Sequence, residues 1–298
     1  MIPKANKRKI ILTITAVLCI VVFAVLLFIA RDPSLLKANS SNASVFEYGD
    51  DFIKFIDVGQ GDSALIYSDG YSAVIDMGIS PAAEDIIDAL SDCKIDAVDM
   101  VIISHYHSDH IGAFEAVAEV YQIKNMIGPK INSNSIRAAK TAQESVLSDG
   151  GNFYEAVYGL NFMLGEFKIT VLGYYNAASE NNRSVYVMAE IDGVRFLFTG
   201  DGEIAAEKQL LSRAEDIDCD VLKVAHHGSK TSTGYEFLKA TTPEYAVISV
   251  GEGNTYNHPN IETLVNLSNQ DAEIYRTDKM GDISFYVDDG KIKIITEK

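Results

Sequence analysis

The apolar positions of this chain fall into two regimes. Residues 10–30 form one unbroken apolar run of 21 residues without a charge. A helix needs about 20 such residues to cross a bilayer, so the run predicts a transmembrane span. Lys4, Lys7, Arg8 and Lys9 precede it; by the positive-inside rule that flank stays in the cytoplasm and everything after Arg31 lies outside the cell. A cleaved signal peptide is the rival reading, but it has an apolar core of about 7–15 residues and a small-residue cleavage site. Phe28-Ile29-Ala30-Arg31 is a poor match to such a site.

Beyond residue 44 the apolar runs are short and punctuated by Gly, Pro, Asn and Asp. Strands are expected at 52–58, 63–67, 72–77, 98–103, 123–127, 167–172, 185–191, 194–199, 220–225, 245–250, 273–275, 283–287 and 292–295. Helices are expected at 81–90, from Gly112 onward, and at 133–147, 203–211, 234–240 and 260–268. Hairpins mixed with helical crossovers predict an α/β fold, sheets covered by helices. Residues 32–44 are polar and aperiodic and read as a tether. The organisation is therefore a basic flank and anchor over 1–31, a linker over 32–44 and one large domain over 45–298.

Charge sharpens this picture. The chain carries 25 Lys/Arg against 42 Asp/Glu, and five of the basic residues but none of the acidic ones lie in 1–31. The part expected outside the membrane therefore stands at −22. Such a surface repels a polyanion at long range, so broad electrostatic capture of DNA is not expected. Cys19 falls in the apolar run, and Cys93 and Cys219 read as small buried hydrophobes rather than a disulfide framework.

The candidate chemistry sits at strand ends. Residues 98–103 run straight into Ser104-His105-Tyr106-His107-Ser108-Asp109-His110-Ile111-Gly112, and the chain has only six histidines, three of them here. His105 and His107 lie two apart and share a face if extended. Asp109 and His110 follow at the start of a helix. One pair of imidazoles is thus offered to one ion, and a carboxylate plus an imidazole to a second. Asp201, between Gly200 and Gly202, ends a second strand and can bridge two cations. His226 and His227 end a third; adjacent histidines rarely both bind one ion, so His227 is expected as ligand and His226 as its neighbour or proton carrier.

In order, His-x-His-x-Asp-His, Thr199-Gly200-Asp201 and His226-His227-Gly228-Ser229 resemble the metallo-β-lactamase fold superfamily. Four segments look more specifically like the hydrolase domain of the ComEC family of DNA-uptake proteins. They are Phe55-Ile56-Asp57-Val58-Gly59-Gln60-Gly61-Asp62-Ser63, Asn181-Asn182-Arg183-Ser184-Val185, Leu222 through Ser232, and Tyr275-Arg276-Thr277-Asp278. The resemblance spans about 50–296 and implies a four-layer αβ/βα sandwich with metals at one edge. It implies two divalent ions, zinc or manganese, held by His105, His107, Asp109, His110, Asp201 and His227. Asp109, His226 and His258 are the catalytic candidates; His258 matches a family position and is expected to touch substrate or protonate the leaving group. Asn181, Asn182, Ser184, Ser229 and Lys230 are the candidates for holding a phosphodiester. Two departures stand out. The single apolar span excludes a many-span DNA channel, and no histidine occurs between His110 and His226, where many superfamily members place a ligand. An amide oxygen or water is then expected to complete the first ion's shell. Gln60 and Asp62 are expected to shape the turn beneath the site. The expected activity is a membrane-anchored extracellular phosphodiesterase or nuclease, with a cell-wall or choline-type phosphodiester as the other substrate class; β-lactam or thioester hydrolysis and a non-catalytic metal-binding module are weaker readings.

Overall fold

Side chains alternate across a strand, and that alternation sorts the apolar residues here into three separate cores. The computed structural model describes residues 49–298 except 133, 134, 176, 214 and 215. In chain order the strands begin β1 (Phe52–Phe55), β2 (Ala64–Ser68), β3 (Tyr71–Ile75), β4 (Ala97–Val98), β5 (Met100–Ile102), β6 (Gln122–Ile123), β7 (Asn125–Gly128) and β8 (Asn152–Glu155). They continue with β9 (Asn161–Leu164), β10 (Phe167–Gly173), β11 (Tyr186–Ile191), β12 (Val194–Phe198), β13 (Val221–Lys223), β14 (Tyr245–Ile248), β15 (Glu273–Arg276), β16 (Ile283–Asp288) and β17 (Lys291–Thr296). The helices are α1 (Ala83–Asp92), α2 (Ser108–Ile111), α3 (Phe114–Val120), α4 (Arg137–Ser148), α5 (Ile204–Leu211), α6 (Tyr235–Thr241), α7 (Ile261–Ser268) and α8 (Thr277–Met280).

Among the described residues these strands form an eight-stranded sheet, β17-β16-β1-β2-β3-β5-β7-β8, and a seven-stranded sheet, β15-β14-β13-β12-β11-β10-β9. Phe52, Leu65, Val74 and Val101 of the first sheet point at α1, α3 and α4, meeting Ile86, Leu90, Val117 and Ala142. Their neighbours Ile53, Ile66, Ala73 and Ile102 turn the other way, onto Val187, Phe196 and Val221 of the second sheet. Leu197, Leu222 and Ala246 on that sheet's far face meet Leu210, Phe237 and Leu267 of α5, α6 and α7. Helices, sheet, sheet, helices: the fold is a four-layer mixed α/β sandwich, as expected.

Each sheet is half parallel. In the first, β3, β5, β7 and β8 run parallel; in the second, β12 to β15 do. Ligand sites in such sheets gather outside the carboxyl ends of parallel strands, and here two sets of carboxyl ends meet. The expected anchor and tether over 1–44 lie outside the described residues. Among those described, no helix is long and apolar enough to cross a membrane.

Several expected elements are differently built. The run 98–103 is two strands, because Asp99 interrupts it: its carboxylate accepts from Ser72 N–H and Lys124 Nζ, and its carbonyl from Asn125 Nδ2. The chain thereby leaves the β4–β6 pair and enters the main sheet as β5. The run 123–127 is broken at the same level, between β6 and β7. The helix expected at 133–147 starts only at Arg137. β8 and β9 were not anticipated; both are edge strands, half exposed, whose polar and apolar residue types do not alternate. Cys93 and Cys219 are free and buried in different helix-covered cores, which keeps them apart, and burial pushes the Cys93 thiol up to about 12.

Phe196 is fully buried between the sheets, edge-on to Phe285 at 6.0 Å. Phe196→Ala should destabilise the protein by about 3–5 kcal/mol, read as a lower denaturation midpoint at unchanged slope.

Candidate metal centre

Because β3 and β5 are parallel neighbours, their ends place Asp76 beside Ser104. Asp76 has φ +61°, a left-handed conformation costly for a non-glycine residue, and its carboxylate shows why it is tolerated. It accepts from the Ser104 N–H at 2.7 Å, from Ser104 Oγ at 2.7 Å and from His110 Nδ1 at 2.9 Å. That fixes the His110 tautomer and leaves Nε2 facing the site. The single turn α2 supplies Asp109 and His110, with His110 N–H donating to the His107 carbonyl. His105 Nε2 and His107 Nδ1 converge at 3.0 Å.

The second sheet delivers the rest. After β12 the chain passes Thr199 and Gly200 to reach Asp201. Gly200 has φ +50°, and a Cβ there would stand 2.7 Å from Ser104 Cβ; glycine lets the ends of the two sheets touch. Asp201 N–H donates to Ser184 Oγ at 3.0 Å. After β13, His226 and His227 both have φ +53°, two strained residues in succession, pinned by the His226 N–H donating to Gly200 O. The turn throws the rings apart. His227 Nδ1 meets Ser249 O at 3.0 Å and Asp62 Oδ1 at 3.2 Å, and Asp62 Oδ2 takes Lys223 Nζ at 2.8 Å.

Asp201 is where the two sets meet. Its Oδ1 lies 3.2 Å from His110 Nε2 and 3.8 Å from His227 Nε2. Its Oδ2 lies 3.9 Å from His105 Nε2 and 3.7 Å from His226 Nε2. Asp109 Oδ2 is 3.3 Å from His227 Nε2. Two donors about 2.0–2.1 Å from a tetrahedral ion stand roughly 3.3 Å apart, so these separations suit a shared cation. Donor atoms of Asp109, His110, Asp201 and His227 all lie within 4.8 Å of one another. His110 Nε2 and Asp201 Oδ1 are buried 3.2 Å apart without a well-aligned hydrogen bond, an arrangement that a cation between them would satisfy. The residues fit a divalent ion; nitrogen and oxygen donors suit zinc and manganese alike.

Electrostatics agree. Burial alone would hold His110 and His227 neutral, yet Asp201 with Asp76 holds His110 well above its ordinary value. Asp201 with Asp62 lifts His227 to about 10. Burial opposes the charge on Asp201, but His110 and His227 keep it well below the carboxylate range. His105 is pushed far down by burial and by the His110 charge. Four carboxylates, Asp62, Asp76, Asp109 and Asp201, thus crowd a site where Lys223 cancels one charge and protons on histidines stand in for metal.

A two-sheet sandwich with a His/Asp cluster at the strand ends defines a binuclear metal-dependent hydrolase. Residues 56–252 match the metallo-β-lactamase superfamily model, and the chain belongs to that superfamily. It is 30% identical over 253 residues to ComE operon protein 3 of Bacillus subtilis, covering 78% of this chain and 32% of that protein. It is 27% identical over 269 residues to competence protein ComA of Neisseria gonorrhoeae, covering 89% of this chain and 35% of that one. The chain thus spans about a third of the length of the curated relatives it matches, and they support the ComEC-like resemblance. The metallo-β-lactamase fold protein YhfI of Bacillus subtilis has the same fold, with TM-score 0.53, 16% identity and coverage of 76% of this chain and 96% of that one.

The structure draws His105, His107, Asp109, His110, Asp201 and His227 together. Among the substrate candidates, Asn182 is bound to Glu203, donating at 2.6 Å and accepting its N–H at 3.2 Å. Ser184 accepts from Asp201, and Ser229 Oγ pairs with Thr231 Oγ1 at 3.0 Å. Asn181 lies 3.3 Å from His226 Nε2, and Lys230 is exposed. Asp76, Ser104 and Lys223 were not singled out from sequence. Asp76-Met77-Gly78 ends a strand much as Gly200-Asp201-Gly202 does, and that likeness was the available signal.

Metal must displace the protons held on His110 and His227, so binding should release protons and tighten as pH rises from 7 toward about 10; calorimetry in buffers of differing ionisation enthalpy would count them. Asp76→Asn should weaken metal binding about 10–100-fold by freeing the His110 ring, measured by competition with a chromogenic chelator.

Proposed function

We propose that this chain is a metal-dependent phosphodiesterase with nuclease capacity, held to the membrane by residues 10–30 with its hydrolase domain outside the cell. The observation that carries the reading is Asp201, whose two oxygens face two different sets of imidazoles, as a two-ion site for in-line phosphoryl displacement requires. When bound, a pair of divalent ions would supply a hydroxide near neutral pH and stabilise the attacking and leaving oxygens. The competence relatives favour a nucleic-acid phosphodiester.

The chain's own residues divide the remaining work. His226, half buried, flanks Asp201 and is positioned by Asn181. Lys230, exposed in the loop beyond His227, is free to meet a phosphate oxygen. His258 is held by Asn254, which accepts its N–H at 3.1 Å and donates to its carbonyl at 2.7 Å. Its ring stands 5.6 Å from that of His226. Burial, with the charges of His226 and His227, pushes His258 down to about 4. It is therefore neutral at pH 7, suited to accept a hydrogen bond from substrate rather than to supply the leaving group's proton. Asn182 and Ser184 position the site instead of touching substrate.

A second substrate class, a small or cell-wall phosphodiester, is favoured by the −22 balance of residues 32–298. Purified chain loaded with zinc or manganese should hydrolyse phosphodiesters, and His110→Ala should fall to background. Inert diesters beside an active β-lactam or thioester would sink the reading. Across a salt series, DNA turnover should fall steeply in KM terms while that of a small diester holds nearly constant.

A further inference from the structure

The two halves of the metal centre differ in what stands behind each ligand. In the first half, His110, Asp201 and His227 are 0, 2 and 1% exposed. His110 is braced by the Asp76 carboxylate and His227 by Ser249 O and Asp62. Two carboxylates, Asp109 and Asp201, bring charge directly to the ion, and the orphaned His110 Nε2 and Asp201 Oδ1 aim into the same space. Bracing of this kind raises ligand basicity and removes the entropy of ring rotation.

In the second half, His107 is exposed, and among the described residues the hydrogen-bond contact of its ring is with His105 alone. Among the described residues His105 Nδ1 meets the hydroxyls of Ser104 at 3.1 Å and Ser184 at 3.4 Å and nothing else. Among them no carboxylate is bonded to the back of either ring, and the negative group facing this half, Asp201 Oδ2, is 3.9 Å from His105 Nε2 and shared with the other half. Among the described residues, donors within 4.8 Å of one another gather around the first half and not around His105 and His107. Between His110 and His226 the sequence supplies no further imidazole.

We propose that the centre fills in sequence. The pocket of Asp109, His110, Asp201 and His227 takes one ion tightly; the pocket of His105 and His107, closed by the other oxygen of Asp201, takes the second ion weakly. The supply of the second ion then sets the fraction of protein competent for two-ion chemistry. That last consequence rests on the phosphodiesterase reading; the order of filling does not.

The test uses the full chain, stripped with chelator and titrated with zinc alone. After dialysis against metal-free buffer, elemental analysis should find about one equivalent retained, and calorimetry should resolve a second step at least about tenfold weaker. His107→Ala, at an exposed position, should lose the weak step and keep the tight one. His227→Ala should lose the tight step; Asp109→Asn, half buried, serves in its place if that variant does not fold, and should weaken the same step. Two retained equivalents in one indistinguishable step, or loss of the tight step in His107→Ala, would overturn the proposal. Since these readouts are stoichiometry and affinity, an inactive diester panel would defeat the functional reading and leave this one standing.

Discussion

A carboxylate buried at the seam between two sheets, with one oxygen left unpaired, is the constraint on which the rest of this site depends. Asp201 cannot be ionised there without positive charge beside it. His110 and His227 bring that charge to one oxygen, while the rings of His105 and His226 face the other. To bring them within reach, the sheet ends must touch, which requires Gly200 without a side chain. Two consecutive histidines must also turn through left-handed conformations. Asp76 and Asp62 then orient the rings, and Lys223 offsets part of the charge they add. Left-handed backbone at Asp76, His226 and His227, buried charge and the unpaired atoms of His110 and Asp201 meet in this one neighbourhood, where a fold with no site to build would avoid them.

Much of this was legible because metal chemistry restricts residue types. His105, His107, Asp109, His110, Asp201 and His227 stood out as His and Asp at strand ends next to glycine, a pattern local in sequence. What stands behind the ligands is not local. Asp76 meets a ring 34 residues on, and Lys223 reaches an aspartate 161 residues back. No window of sequence contains both partners. Asn182 and Ser184 show the same limit from the other side: their types suit a phosphate, and only the fold reveals their bonds to Glu203 and Asp201.

The fold divides along similar lines. Central strands with apolar residues on both faces were readable from continuous apolar runs, and three cores followed. Edge strands β8 and β9 were not, since a strand paired on one side with half its residues exposed needs no such pattern. The break at Asp99 was hidden because a carboxylate amid apolar residues looks like an outward position on a strand. Only its bonds to Ser72 and Lys124 reveal a corner.

The approach of Asp109 to His227 joins positions 118 residues apart. Any ion gripped by both would act as a cross-link, tying the first sheet to the second through a ring of that size. Closing such a ring costs an unfolded chain on the order of 4 kcal/mol in freedom, so an ion that survives unfolding of one half would keep the other within reach for refolding. The centre is then a rivet for the sandwich as well as the seat of its chemistry, and metal depletion would loosen the architecture and silence the reaction together.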